Sequence, residues 1–144
     1  MKTLVVKIEP TNRNWYIVDL KEYQMGRVAV KVADILRGKD KPIFSPHIDN
    51  GDNVIAINAG EMTFTPKKME QKTYYNYSGY PGGLKQTSLA KKMSSKPEDV
   101  FALAVKRMLP KNKLSRQIFK KLHVYAGSKH PHQAQNPKEL KFNV

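Results

Sequence analysis

Asn53-Val54-Ile55-Ala56-Ile57-Asn58 is the segment on which the fold turns. A strand with one wet face alternates apolar and polar residues, whereas this run is apolar throughout. It therefore suits a parallel strand covered on both faces. Upstream, Trp15-Tyr16-Ile17-Val18-Asp19 is rich in aromatic and β-branched residues and reads as another strand. Between them Val28, Val32, Ile35 and Leu36 recur at helical spacing, Ala29 and Ala33 lie beside them, and Gly38 stands where a helix should stop. Residues 38–53 are loop-like, with Pro42, Pro46 and an Asn50-Gly51-Asp52 turn signal. Strand, helix and strand make a βαβ unit, whose crossover is expected to be right-handed.

Working outward, residues 1–14 are polar and read as an N-terminal arm. Lys72–Tyr77 is a candidate third strand running into the loop Ser78-Gly79-Tyr80-Pro81-Gly82-Gly83. A short helix is expected over Ser88–Met93. A longer one follows, with Ser95 and Glu98 in capping-box spacing, Pro97 in the first turn and Pro110 at its end. Val100, Phe101, Ala104, Val105 and Met108 form its apolar face. Residues 114–121 give a further helix and Leu122–Ala126 a last strand. The tail from Ser128 carries prolines and little apolar content and is expected to be extended. The expected architecture is one α/β domain over residues 1–144, with a core over 15–127. Its mostly parallel sheet has about four strands, with helices on both faces.

Charge narrows the function. The 144 residues hold 26 Lys and Arg against 12 Asp and Glu, a formal net charge of +14. The excess is uneven: residues 1–72 hold 12 basic and 9 acidic side chains, residues 73–144 hold 14 and 3, and no acid lies between Asp99 and Glu139. A solubility device would mix both signs, so the asymmetry points to a face that meets a polyanion. Nucleic acid is the leading partner, an anionic membrane surface the second. Cysteine is absent, which excludes disulfides and thiol chemistry. The apolar run at the start is too short for a signal-peptide core and no stretch is long enough to span a bilayer, so an intracellular, soluble protein is expected.

The densest feature is Lys106, Arg107, Lys111, Lys113, Arg116, Lys120, Lys121 and Lys129, an acid-free set. On the helix over 114–121, Arg116 and Lys120 are four apart and share a face, while Leu114, Ile118 and Leu122 share another. One side packs inward and the other projects cations that can follow phosphates, each contact releasing counterions. Lys39 with Lys41 and Lys67 with Lys68 are smaller loop clusters, and Lys85 follows the glycine-rich loop. Tyr75, Tyr77 and Tyr80 offer aromatic surface that RNA bases or a sheet edge could use.

Rival chemistries fail on spacing. Gly79 to Lys85 lacks the separation and the following hydroxyl of a phosphate-binding P-loop. After the first strand stands Lys21-Glu22-Tyr23-Gln24-Met25-Gly26-Arg27, with one glycine where a dinucleotide fold needs three. His130-Pro131-His132, even with His123, has no supporting carboxylate nearby, so metal binding is not expected and phosphate or sugar contact is preferred. Asp49 and Asp52 belong to a turn, where Asp bonds local backbone. No set of acid, base and nucleophile is present, and no cofactor is expected. An enzyme on a doubly wound sheet and a DNA-binding module are the competing classes.

The chain resembles the thirteenth large-subunit ribosomal protein family in its bacterial form, from Trp15 to about Gln135. The likeness rests on Trp15-Tyr16-Ile17-Val18-Asp19 with Gly26-Arg27, on Pro46-His47-Ile48-Asp49-Asn50-Gly51-Asp52, and on Gly82-Gly83-Leu84-Lys85-Gln86. It continues through Ala104-Val105-Lys106-Arg107-Met108-Leu109-Pro110-Lys111, Leu122-His123-Val124-Tyr125-Ala126-Gly127 and His130-Pro131-His132-Gln133-Ala134-Gln135. The resemblance implies a three-layer α/β/α fold with a four-stranded parallel sheet. It also implies a non-catalytic role in the cytoplasm on the large ribosomal subunit, with large-subunit ribosomal RNA and neighbouring ribosomal proteins as partners and early entry into assembly. Lys106, Arg107, Lys111, Arg116, Lys120 and Lys121 would clamp phosphates, and the tail with His130 and His132 would lie along RNA, ordered only there. The sequence departs from the pattern in carrying Tyr75, Tyr77 and Tyr80 where relatives often have histidines, and Asn112, Lys113 and Ser115 where relatives often have glycines.

Overall fold

The computed structural model describes residues 13–142; the expected arm lies outside them except for Arg13 and Asn14. Strand β1 (Trp15–Asp19) leads to helix α1 (Met25–Arg37) and returns as β2 (Asn53–Ile57). β1 and β2 pair in parallel from Trp15 opposite Asn53 to Asp19 opposite Ile57. Val54, Ile55 and Ala56 are all fully buried. Because consecutive residues of a strand face opposite ways, both faces of β2 must be covered. The helix buries the expected stripe, Val28, Ala29, Val32, Ala33, Ile35 and Leu36. Gly38 closes it in the left-handed conformation (φ 82°), its N–H donating to the carbonyls of Asp34 and Ile35.

The rest of the chain follows as α2 (Pro66–Gln71), β3 (Thr73–Tyr77), β4 (Leu84–Ser88), α3 (Leu89–Ser95), α4 (Pro97–Met108), α5 (Lys113–Phe119), β5 (Leu122–Val124) and β6 (Lys138–Glu139). The main sheet has the order β5-β2-β1-β6, and every pairing in it is parallel. Helix α1 packs against α4 and α5, and the parallel sheet with its helices fits the expected three-layer α/β/α class. The core joins Val18, Leu36, Val54, Phe101, Val105 and Ile118.

Four expectations need correction. The strand ending at Tyr77 exists, but it pairs antiparallel with β4 in a separate two-stranded hairpin and not in the main sheet. Lys67 and Lys68 lie on the short helix α2 and not in a loop, while Lys85, after the glycine-rich loop, lies in strand β4. The Ser95–Glu98 capping box does not form, because Lys96 alone separates α3 from α4 and Ser95 is still inside α3. Its hydroxyl donates back to Lys92 O, and the Glu98 carboxylate accepts from the Ala126 N–H.

The tail is the fourth. It was expected to lie along RNA, and in the structure it folds back on the body. Residues 138–139 add the edge strand β6 beside β1, and Leu140 and Phe142 pack on the core. His132 stacks on Trp15 (5.2 Å between ring centres), stands 4.6 Å from the His123 ring centre, and exchanges a 2.8 Å hydrogen bond with the Tyr125 hydroxyl.

Burial, and then the neighbouring His132, push the His123 imidazole below its ordinary value. The unfolded chain therefore takes up this proton at a higher pH than the folded one. The stability tied to neutral His123 is present above the ordinary histidine value, and is lost as pH falls from there towards the depressed one. Trp15, the one tryptophan in the chain, reports on this stack directly. Its emission is expected to change on titration from about pH 7.5 to about pH 5, with a midpoint below that of a free histidine. A flat profile would show that the tail does not rest on Trp15 and His123.

Candidate nucleic-acid interface

The sequence-predicted cations sort into two groups once their surroundings are known. Lys121 is buried. Its ammonium donates to an Asp49 carboxylate oxygen at 2.5 Å and to the Leu36 carbonyl at 3.0 Å, and its side chain is 7% exposed. It is therefore withdrawn from the phosphate-binding set: a cation with two internal acceptors and almost no contact with water is a structural group. Burial pushes its ammonium below the usual lysine value, and the bond and charge of Asp49 work against that shift. Asp49 also pairs with Arg13 at 3.1 Å. The expected local role of this aspartate is present as well, since it accepts from the Gly51 N–H, but its long-range pairs were not foreseen.

Lys41 is similarly engaged. It sits 2.6 Å from Asp52, which is almost wholly buried and also accepts from the Asn14 N–H. Lys39 makes an exposed pair with Asp34 at 3.4 Å, an interaction worth little in water.

The other predicted cations are exposed: Lys67, Lys68, Lys85, Lys106, Arg107, Lys111, Lys113, Arg116, Lys120 and Lys129. His130 and His132 are only half-exposed, and His132 is committed to the Trp15 stack. Helix α5 places Arg116 and Lys120 on the outside, and turns Ile118 and Ser115 inward. The Asn112 side chain caps it, accepting from the Ser115 N–H at 2.8 Å; this is the local consequence of the polar residues after Pro110. Lys106 and Arg107 complete the last turn of α4, where cations also complement the helix dipole. Together with Lys111 and Arg116 they rim one cleft between α4 and α5.

A second convergence escaped the sequence reading. The ring of buried Tyr74 has Lys92 4.8 Å, Lys72 5.3 Å and Arg107 5.8 Å from its centre. Burial and then the like charge of Arg107 lower Lys72 from its usual value, and burial raises the Tyr74 phenol. Aromatic faces attract cations, but three on one ring with no carboxylate of the described residues paired to them repel one another, an arrangement that an anion would relieve. The signal was available: residues 71–97 contain no acid, although Lys72, Lys85, Lys91, Lys92 and Lys96 fall there.

Among the described residues the geometry thus offers cations on α4, α5 and the elements beside them. Among the described residues no three His, Cys, Asp or Glu side chains are arranged to hold a metal, and no helix is long and apolar enough to cross a membrane.

Comparison with known proteins adds the decisive observation. Residues 13–131 match the family described as ribosomal protein L13. The chain belongs to the ribosomal protein L13 family. It is 54% identical over 140 residues to the large ribosomal subunit protein uL13 of Pelobacter propionicus, covering 97% of this chain and 99% of that one. It is equally similar, 54% over 142 residues, to the protein of that name from Lachnospira eligens, covering 99% of this chain and the whole of the other. With the Maridesulfovibrio salexigens protein of that name the identity is 51% over 142 residues, again covering 99% of this chain. As an L13-family member the chain is a structural ribosomal protein and not an enzyme.

The split between internal and free cations can be measured. Lys121→Met leaves Asp49 with Arg13 alone and is expected to lower unfolding stability by about 3 kcal/mol in urea titrations. It should leave the salt dependence of RNA binding unchanged. A variant that kept full stability but lost a salt-dependent contact would return Lys121 to the interface.

Proposed function

We propose that this protein is a structural constituent of the large ribosomal subunit in the cytoplasm that binds large-subunit ribosomal RNA electrostatically and supports early assembly of the subunit and translation. The observation that carries the reading is the free cationic surface of α4 and α5. Lys106, Arg107, Lys111, Lys113, Arg116 and Lys120 are exposed, and the chain has no acid between Asp99 and Glu139. A surface of one sign on a folded body gains free energy by displacing the counterions of a polyanion. The family supports the identity of that polyanion, because its members carry the name of the large ribosomal subunit.

Recognition follows from the same chemistry. Exposed lysines and arginines bonded to phosphates register the shape of a folded backbone and not a base sequence. Lys67, Lys68, Lys85 and Lys129 extend the contact beyond α4 and α5, and half-exposed His130 offers a hydrogen bond to phosphate or sugar. Neighbouring large-subunit proteins take the surfaces that RNA leaves free. Neither a membrane nor a small-molecule substrate has a place in this mechanism.

Binding to a large-subunit RNA fragment across a salt series tests the proposal. Neutralising about 6–10 phosphates should reduce affinity roughly a thousand- to a hundred-thousand-fold between about 50 and about 200 mM salt. Replacing Arg116 and Lys120 together by alanine should flatten the log–log slope by about 2 without altering the thermal unfolding midpoint, since both side chains are exposed. A flat salt dependence in the parent protein, or equal affinity for duplex DNA, would refute the assignment.

A further inference from the structure

The cleft between α4 and α5 carries four cations, whereas three other concavities among the described residues carry one each. It measures about 600 Å³, in the range of cavities that enclose small organic groups. Its floor is apolar, formed by Leu103, Leu109 and the ring of Phe119. Its rim holds Lys106, Arg107, Lys111 and Arg116 and no carboxylate. The concavity beside β6 contains Asp40 and Asp52, and the one at the far end of β1 contains Asp19, Glu22 and Glu139. Those would repel an anion. This one would draw it in.

An apolar floor under a purely cationic rim matches few partners. A duplex backbone would use the rim and leave the floor wet. An apolar peptide would use the floor and strand four cations over it. A nucleotide turned out of its stack satisfies both parts, with a flat π-face for the floor and a phosphate on either side for the rim. Phe119 supplies an aromatic wall, with the Lys106 ammonium 6.0 Å from its ring centre. Arg107 links the rim to the cation cluster around Tyr74, which gives the strand a continuation.

We infer that this cleft is a nucleotide pocket, which seats the base of one unstacked ribonucleotide of the bound RNA against Phe119 and Leu103 and holds its flanking phosphates on Lys106, Arg107, Lys111 and Arg116. The inference rests on the RNA-binding reading and deepens it. It adds a point of shape readout, an extruded base, to what would otherwise be contact with backbone alone. The pocket is built before RNA arrives, because Leu109 is buried and Phe119 packs on the core cluster.

Phe119→Leu keeps an apolar side chain at the core and removes the ring. The full chain carrying it should lose about ten-fold in affinity for a large-subunit RNA fragment. The slope of affinity against salt should stay as in the parent, because no cation is touched. Unchanged affinity with a steep salt slope would overturn the pocket and leave the RNA-binding reading intact, whereas a flat slope in the parent protein would overturn that reading itself. Ultraviolet cross-linking of native large subunits, which joins unpaired bases to nearby side chains, decides the matter independently of whether the variant folds. Cross-linked peptides covering residues 103–119 are expected. Cross-links confined to other segments, or a cleft filled by another protein, would rule the nucleotide out.

Discussion

A single ammonium inside the protein fixes where the cationic surface can stand. Lys121 lies between the C-cap of α5 and β5, and its Nζ reaches across to the last turn of α1 and the loop that leads into β2. Its own carbonyl accepts from the Val54 N–H, so the backbone there belongs to the sheet while the side chain is clamped to the loop. Gly51 makes the approach possible: a Cβ at that position would overlap the Leu36 carbonyl and crowd the ammonium. Desolvating a lysine is costly unless its hydrogen bonds are met, and here a carboxylate and a carbonyl meet them. The end of α5 is thereby held against the end of α1, and the outward face of α5 has one orientation.

That arrangement divides the basic residues by function. Lys121, Lys41 and Arg13 face Asp49 and Asp52, so the carboxylates nearest the loop are occupied with the protein's own cations. None is left for Arg116, Lys111 or Lys106, which face solvent without an internal partner among the described residues. The folded chain therefore stores a like-charge repulsion on α4, α5 and around Tyr74 that a polyanion would relieve. The folded-back tail runs from His132, which rests on Trp15 beside His123 of β5, to β6, which covers the far edge of β1.

Much of this was written in the sequence, and what was not has definite causes. The βαβ unit was legible because its signals agree. The apolar run at 54–57, the stripe from Val28 to Leu36 and the stop at Gly38 all state the same geometry. The β3–β4 hairpin was half legible: Thr73–Tyr77 has strand composition, but Leu84-Lys85-Gln86-Thr87-Ser88 is short and polar, and only the turn at Gly79 and Gly82, both at positive φ, joins them. The fourth strand could not be seen, since a two-residue edge strand of Lys138 and Glu139 has no periodicity and is specified by β1. Charge shows the existence of a cationic face but not which of its members turn inward. Lys121 looked like its neighbours until Asp49, 72 residues away, was found beside it. Lys72 and Lys92 were passed over for the converse reason, being spaced apart in sequence and gathered by the ring of Tyr74.

The central claim is that the free cations of α4 and α5 lie against RNA in the assembled particle while Lys121 serves the fold. Acylating lysines in native large subunits and in the free protein, with each site quantified by mass spectrometry, addresses both halves at once. Lys106, Lys111, Lys113 and Lys120 should react freely in the isolated protein and become protected in the subunit, and Lys121 should resist in both. Equal labelling of the four surface lysines in the two states would mean that they face water in the particle, and would contradict the account.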